Sequence, residues 1–273
     1  MTEPAIIKAD DHYKSEAQNQ WNQDACGSHY VQGVQPDTLA WYLEAERYRY
    51  GTYAPWMHEV MEFGRHRGEK VLEIGAGMGT DLAQYAQNGA LCTDLDLSIG
   101  HLQHARRNFM LRGLEARFEH GDAEAMPFVD SEFDVVYTNG VIHHTPNTCA
   151  VIDELHRVLR PGGKAIVMVY AENSWHYWRR LVSEIGIIKG ELWRKSIGDI
   201  MSGTVEISTH KQKPLVKVYT AARLRRMFAR FAKIDVCKRQ LIREEVPKAL
   251  AHVPLDLLQR LMGWNLIVKA VKR

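Results

Sequence analysis

The chain has 273 residues, 45% of them hydrophobic, with 35 Lys and Arg against 33 Asp and Glu, a formal net charge of +2 at pH 7. This composition supplies an apolar core and excludes a disordered, low-complexity chain; with the length it favours one α/β domain with elaborations over two domains. No run of about eighteen apolar residues reads as a membrane-spanning helix, and Met1 to Glu16 lacks the apolar stretch of a secretory leader, so a cytoplasmic location is expected.

In chain order, residues 1–35 show little periodicity beyond a short helix near Ser15 to Asp24. Leu39–Tyr50 and Trp56–Phe63 carry apolar residues at helical spacing, the second opened by Pro55. Residues 1–65 therefore read as a helical segment ahead of the core. Within 66–170, strands are expected at Lys70–Ile74, at Ala90–Asp94 or slightly beyond, and at Glu115–His120, Phe133–Asn139 and Lys164–Tyr170. Helices fall between them at Thr80–Asn88, Ile99–Arg112 and Cys149–Leu159. That alternation predicts a parallel sheet with helices on both faces. Residues 171–218 break the pattern: Trp175–Lys195 is aromatic, basic and partly amphipathic, and Ile197–Pro214 is polar. In 219–273, Thr220 caps a helix reaching Phe231, Ala232–Leu241 reads as strand six, Pro247–Met262 as a helical insert and Trp264–Val271 as the last strand.

The near-neutral total hides an asymmetry. Residues 1–160 hold 13 basic and 24 acidic side chains, a net of −11, and residues 161–273 hold 22 and 9, a net of +13. Two halves of one domain that neutralise each other account for this, and a partner surface is the alternative. The four cysteines (Cys26, Cys92, Cys149, Cys237) have no metal-ligand spacing, so free thiols and no metal centre are expected.

The densest signal is Lys70-Val-Leu-Glu-Ile-Gly-Ala-Gly-Met-Gly-Thr80, an apolar strand with an acid near its end followed by glycines at alternate positions. Glycine there permits left-handed backbone and lets a ligand lie against the main chain. About twenty residues on, a second strand ends at Asp96, the arrangement that binds a nucleotide ribose. Thr80 stands where a dinucleotide fold needs its third glycine, and no Gly-Lys-Ser/Thr follows, so neither a nicotinamide site nor a P-loop is favoured.

Two further segments stand in order behind this loop: His120-Gly-Asp-Ala-Glu-Ala-Met-Pro-Phe128 with Phe133-Asp-Val-Val-Tyr137, and Val158-Leu-Arg-Pro-Gly-Gly-Lys164. Over residues 70–170 the set resembles the class I S-adenosylmethionine (SAM) dependent methyltransferases, most closely the small-molecule branch with quinone and sterol methyltransferases. The resemblance implies a Rossmann-like, seven-stranded, mostly parallel sheet whose last strand is antiparallel. An N-terminal lid and helical cap inserts after strands five and six would complete it.

It also implies roles. Glu73 would face the ammonium of SAM, with Gly75, Ala76, Gly77 and Gly79 forming a backbone nest for its carboxylate. Asp96 would hold the ribose hydroxyls, with Asp94 the alternative, and Leu97 would flank the adenine. Asp122 and the Ala123 amide would meet the adenine edge, and Asn139 would line the methionine. Met126 and Phe128 read as core. His143 and His144, beyond strand four, are candidate general bases, and structural packing is the alternative. Trp21-Asn22 with Cys26-Gly27, and Glu46-Arg47-Tyr48-Arg49-Tyr50, could complete the site as a lid over the cofactor. Tyr48 or Tyr50 could orient the sulfonium or the cofactor carboxylate through its hydroxyl; aromatic faces also attract the cation, and ordinary helix packing is the alternative. His101 and His104, one turn apart without a third ligand, read as a solvated helix face.

The acceptor pocket is expected in the inserts, with Trp175, Tyr177, Trp178, Trp193 and Tyr219 as walls and Arg179, Arg180, Arg194 and Lys195 for charge. Together they imply a small acceptor with an apolar body and an anionic group. The same stretch could serve as a peripheral membrane contact or as solvated cap helices. A SAM-binding regulatory subunit is the non-catalytic alternative. RNA methylation by the basic half is a weaker one, because no RNA-binding module or catalytic cysteine motif is present and a nucleic-acid partner is not expected.

Overall fold

The computed structural model describes residues 9–23, 25–205 and 214–273. The readings made for Met1–Lys8, Asp24 and Glu206–Lys213 lie outside them. Strands β1 (Lys70–Ile74), β2 (Leu91–Asp96), β3 (Ala116–His120), β4 (Phe133–Asn139) and β5 (Leu159–Ala171) form the parallel part of the sheet. With β6 (Val218–Tyr219), β7 (Lys233–Arg239) and β8 (Asn265–Val271) the order is β3-β2-β1-β4-β5-β8-β7, and β6 pairs β5. Only β8 runs against its neighbours. The expected seven strands are thus present, and the short β6 is an eighth.

Alternate residues of the central strands enter different cores, as a sheet covered on both faces requires. Leu72, Ile74, Leu95, Val136 and Val167 pack with helices α6 (Thr148–Val158) and α8 (Ala221–Met227) on one face. Val71, Cys92, Val135, Tyr137 and Ile166 pack on the other with α3 (Met57–Val60), α4 (Thr80–Gln87) and α5 (Ile99–Arg112). Each fully buried Leu- or Ile-sized side chain contributes about 1.5–3 kcal/mol. Met126 and Phe128 are core, as read from the sequence.

The N-terminal segment supplies α1 (Ala9–Gln23) and α2 (Leu39–Tyr48), and α2 runs on into a π-turn at Arg49–Tyr53. The helix expected over Trp56–Phe63 shortens to α3, because Glu62 adopts left-handed backbone with φ 61°. Between β5 and β6 lie a π-helix at His176–Ile188, a short turn at Glu191–Trp193 and α7 (Ile197–Thr204). Pro247–Met262 is not one helix, since Pro254 opens α9 only at Leu255–Met262. Thr220 caps α8 by accepting from the Arg223 amide.

Candidate active site

The C-terminal edges of β1, β2 and β4 face a cleft of about 1200 Å³, where ligands of open α/β sheets bind. Gly75, Gly77 and Gly79 all adopt positive φ. At Gly75 the requirement is also steric, because a Cβ would fall 2.2 Å from Val141 Cγ2. Gly79 starts α4 without a side-chain cap, whereas Ser98 caps α5 and Asn147 caps α6. The first turn of α4 thus takes no side-chain cap at Gly79, and its Leu82 amide bonds Glu73.

Glu73 is buried on the same face as its register partners Asp94 and Tyr137, and its Oε2 has no hydrogen-bond partner. Burial, then the charges of Asp81 and Asp94, push its proton affinity well up, against the pull of Arg49. Asp81 is gripped by Arg49 Nε and Nη2 at 2.6 and 2.5 Å and accepts from Tyr50 and Tyr137 hydroxyls at 2.6 Å each. Despite burial, these bonds hold Asp81 below the ordinary carboxylate range. The π-turn after α2 sets Arg49 and Tyr50 side by side on this carboxylate; such turns recur at functional sites. Tyr50 is thus committed to Asp81, while Tyr48 lines the cleft with Tyr30 and Tyr53, whose rings lie 4.4 and 6.4 Å from its own.

At the β2 tip, Asp96 accepts from the Ser98 amide at 2.7 Å and from His101 Nδ1 at 3.1 Å. His101 Nε2 in turn accepts from the Cys26 amide, which fixes the Nδ1–H tautomer. The solvated reading of His101 is corrected: it is 5% exposed, and it orients Asp96. His104 lies against Asp37 and Tyr42 instead. Asp94 is fully buried with neither carboxylate oxygen hydrogen-bonded, and burial and then Asp96 push its proton affinity well up.

Helix α1 lies over this end. Lys14 Nζ reaches Asp122 and Glu124 at 2.6 Å each, Gln18 donates to the Leu97 carbonyl, and Asn22 accepts from Ser98 and the Gly100 amide. Trp21 sits between His101 and His144, with ring centroids 5.7 and 6.0 Å away. Leu97, Asp122, Ala123 and Asn139 line the same cleft.

The two histidines part company. His144 lines the cleft, and its Nδ1 lies 2.6 Å from the Leu215 carbonyl. That acceptor demands N–H at Nδ1. His143 is fully buried between the rings of His144 and Tyr170, at 4.2 and 4.1 Å, with no hydrogen bond at either nitrogen. Burial, then His144, holds its pKa well below the usual imidazole value.

The acceptor end differs from expectation. Trp175 donates its indole N–H to the Glu245 carbonyl, Trp178 is 55% exposed, and Arg179 faces solvent. Tyr219 is 1% exposed in the main core with its hydroxyl on Thr148. None of the four lines the cleft. Arg180, among the expected cations, does so, together with His176 of the same π-helix and Tyr170, Trp264, Asn265 and Gln240. Tyr170 and Trp264 stack at 4.6 Å, and the Asn265 Oδ1 is buried without a partner.

Residues 72–167 match the model of a family described as a methyltransferase domain. A demethylmenaquinone methyltransferase from Streptomyces avermitilis is 30% identical over 130 residues, 47% of this chain and 54% of that protein. A methyltransferase of uncharacterised activity from Synechocystis is 35% identical over 127 residues, 45% and 58% of the two chains. The chain spans about half the length of the curated relatives it matches. In fold it is similar to a SAM-dependent methyltransferase from Methanosarcina mazei, with a TM-score of 0.56, 19% identity, and coverage of 78% of this chain and 97% of that one. Residues 72–167 are thus similar to a methyltransferase domain, and the fold agrees with that likeness.

These likenesses imply S-adenosyl-L-methionine as cofactor, and the cleft here has the chemistry to fit it. The unpartnered Glu73 Oε2 suits an ammonium, the glycine loop leaves open backbone, and the carboxylate of Asp96 suits a diol. Asp81, Tyr137 and His101 were missed from the sequence, and Arg49 stood in a singled-out segment without a role of its own. The pair Arg49-Tyr50 before the core was a visible signal; the burial of His101 beneath α1 had none.

Proposed function

We propose that the protein transfers a methyl group from SAM to a small acceptor with an apolar, ring-bearing body. One observation carries this: two strand-tip acids, a left-handed glycine loop and an aromatic chamber share one cleft. Glu73 with the amides of Ala76–Gly79 would hold the amino-acid end, Asp96 the ribose, and Asp122 and Ala123 the adenine. Arg49 adds a cation at the cleft wall for the cofactor carboxylate. When bound, the sulfonium supplies a methyl group that is already activated.

The protein's own task is then alignment and exclusion of water. Residues 1–65 would act as the lid, with α1 and Trp21 covering the site. Tyr170, Trp264 and Asn265 would orient the acceptor ring, and Arg180 would meet an anionic group. His144 is the group in position to take a proton from the acceptor, while His143 supports the ring stack. The quinone substrate in the Streptomyces relative's name agrees with a flat acceptor.

Titration calorimetry tests the cofactor, with binding of SAM and of its demethylated product expected; absence of heat with both would overturn the reading. A metabolite extract incubated with methyl-labelled SAM should yield a labelled low-molecular-weight product. His144→Ala should lower that turnover at least tenfold with SAM affinity intact, and unchanged turnover would assign catalysis to alignment alone.

A further inference from the structure

The insert between β5 and β6 puts its largest apolar side chains into water. On the π-helix Tyr177, Leu181 and Gly186 are buried, whereas Trp178, Ile187 and Ile188 are 55%, 61% and 79% exposed. The following turn adds Leu192 at 38% and Trp193 at 88%. Across 176–195 these are interleaved with Arg179, Arg180, Lys189, Arg194 and Lys195 against two acids, Glu184 and Glu191. Clustered apolar exposure of this kind marks an interaction surface.

The composition selects the partner. Protein interfaces are depleted in Lys at their centres, while here Lys189 and Lys195 stand beside the most exposed apolar residues, Ile188 and Trp193. A symmetric dimer through it would lay the same net-positive surface on itself. An anionic bilayer satisfies both halves: Trp and Ile enter the headgroup and acyl boundary, and Lys and Arg meet lipid phosphates. Position agrees as well, because His176 and Arg180 of the same helix line the cleft at its acceptor end. In α9, Leu257 and Leu261 are 51% and 64% exposed, and their neighbours Leu255 and Gln259 also line the cleft.

We propose that the face formed by Trp178, Ile187, Ile188, Leu192 and Trp193 docks on an anionic lipid surface, so that an apolar acceptor enters the cleft directly from the bilayer. The proposal deepens the acceptor reading above, but its test needs no turnover. The full chain is floated with vesicles of phosphatidylcholine alone and of equal parts phosphatidylcholine and phosphatidylglycerol. Binding to the mixed vesicles and at least tenfold weaker binding to the neutral ones are expected. Ile188→Ser with Trp193→Ser, and separately Arg194→Glu with Lys195→Glu, should each reduce binding at least tenfold with circular dichroism and SAM affinity unchanged. These positions are exposed, so the variants are expected to fold. Failure of the unmodified chain to float with either vesicle would overturn the proposal while leaving the SAM test untouched. So would light scattering that shows a dimer dissociated by the Ser variant, which would assign the patch to a second copy.

Discussion

Asp94 and Asp96 sit two residues apart on one strand, yet their environments assign them opposite work. Asp96 is held by an amide and an oriented imidazole, whereas the Asp94 carboxylate oxygens have no hydrogen-bond partner and burial, then Asp96, pushes its proton affinity well up. Asp96→Ala should weaken SAM binding more than tenfold, about 1.4 kcal/mol, while Asp94→Asn leaves it within twofold by calorimetry. The reverse pattern would move the ribose role to Asp94. His143 makes a different prediction. Its folded-state pKa is depressed, so the unfolded chain takes up the proton first. Stability from the neutral ring is complete above the ordinary value of 6.5 and falls as pH drops below it, by up to about 1.4 kcal/mol per pH unit. His143→Phe keeps a ring between His144 and Tyr170 and removes the proton site. Urea unfolding at pH 7 and pH 5.5 should show a smaller loss for the variant than for the parent; equal losses would refute the assignment.

At the scale of elements, the π-turn after α2 is the device that ties the N-terminal segment to the Rossmann-like core. Its Arg49 makes a two-pronged bond to Asp81 in the first turn of α4, beside Glu73. Arg49→Met would keep the bulk but strand a buried carboxylate, which costs about 3–5 kcal/mol. A matching drop in unfolding free energy is expected, together with weaker SAM binding; a change within 0.5 kcal/mol, roughly the scatter of surface substitutions, would show that water replaces the guanidinium. This device was not legible in the sequence, because a π-turn has no distinct apolar period. The βα core was, since Val71, Leu72, Val135 and Val136 alternate between two cores and the glycines mark the first turn. Trp175, Trp178 and Arg179 failed for a related reason: composition identifies an aromatic, basic helix but not its rotation. In a π-helix the face also shifts from the usual 3.6-residue phase, so that of the expected cations Arg180 lines the cleft, beside His176. Tyr219 failed because a two-residue strand, β6, carries it into the core.

For the whole molecule, the charge imbalance between the two parts of the sequence is partly cancelled inside the fold. Glu62, at the left-handed end of α3, lies between Lys164 of β5 and Lys269 of β8, with Nζ–Oε distances of 2.7 Å to each, and 3.3 Å from the His66 ring. One acid of the negative part thus pins two central strands of the positive part, and the segment that carries the π-turn is held to the sheet there. Arg230 and Asp153 join the two parts again at the surface, where exposure makes the pair weak. Burial works against Glu62 ionisation, but the bonds from His66, Lys164 and Lys269 outweigh it and depress its pKa below the usual 4.5. Its contribution is therefore complete above about pH 4.5 and fades as pH falls toward the folded-state value. Glu62→Gln keeps the shape and one acceptor oxygen but loses the charge, at a cost of about 1–3 kcal/mol near neutrality. Denaturant unfolding should show that difference at pH 7 and a markedly smaller one at pH 4, because the parent chain has begun to lose the same interaction. A gap that stays constant between the two pH values would mean that packing, and not charge, joins the acidic and basic parts of this protein.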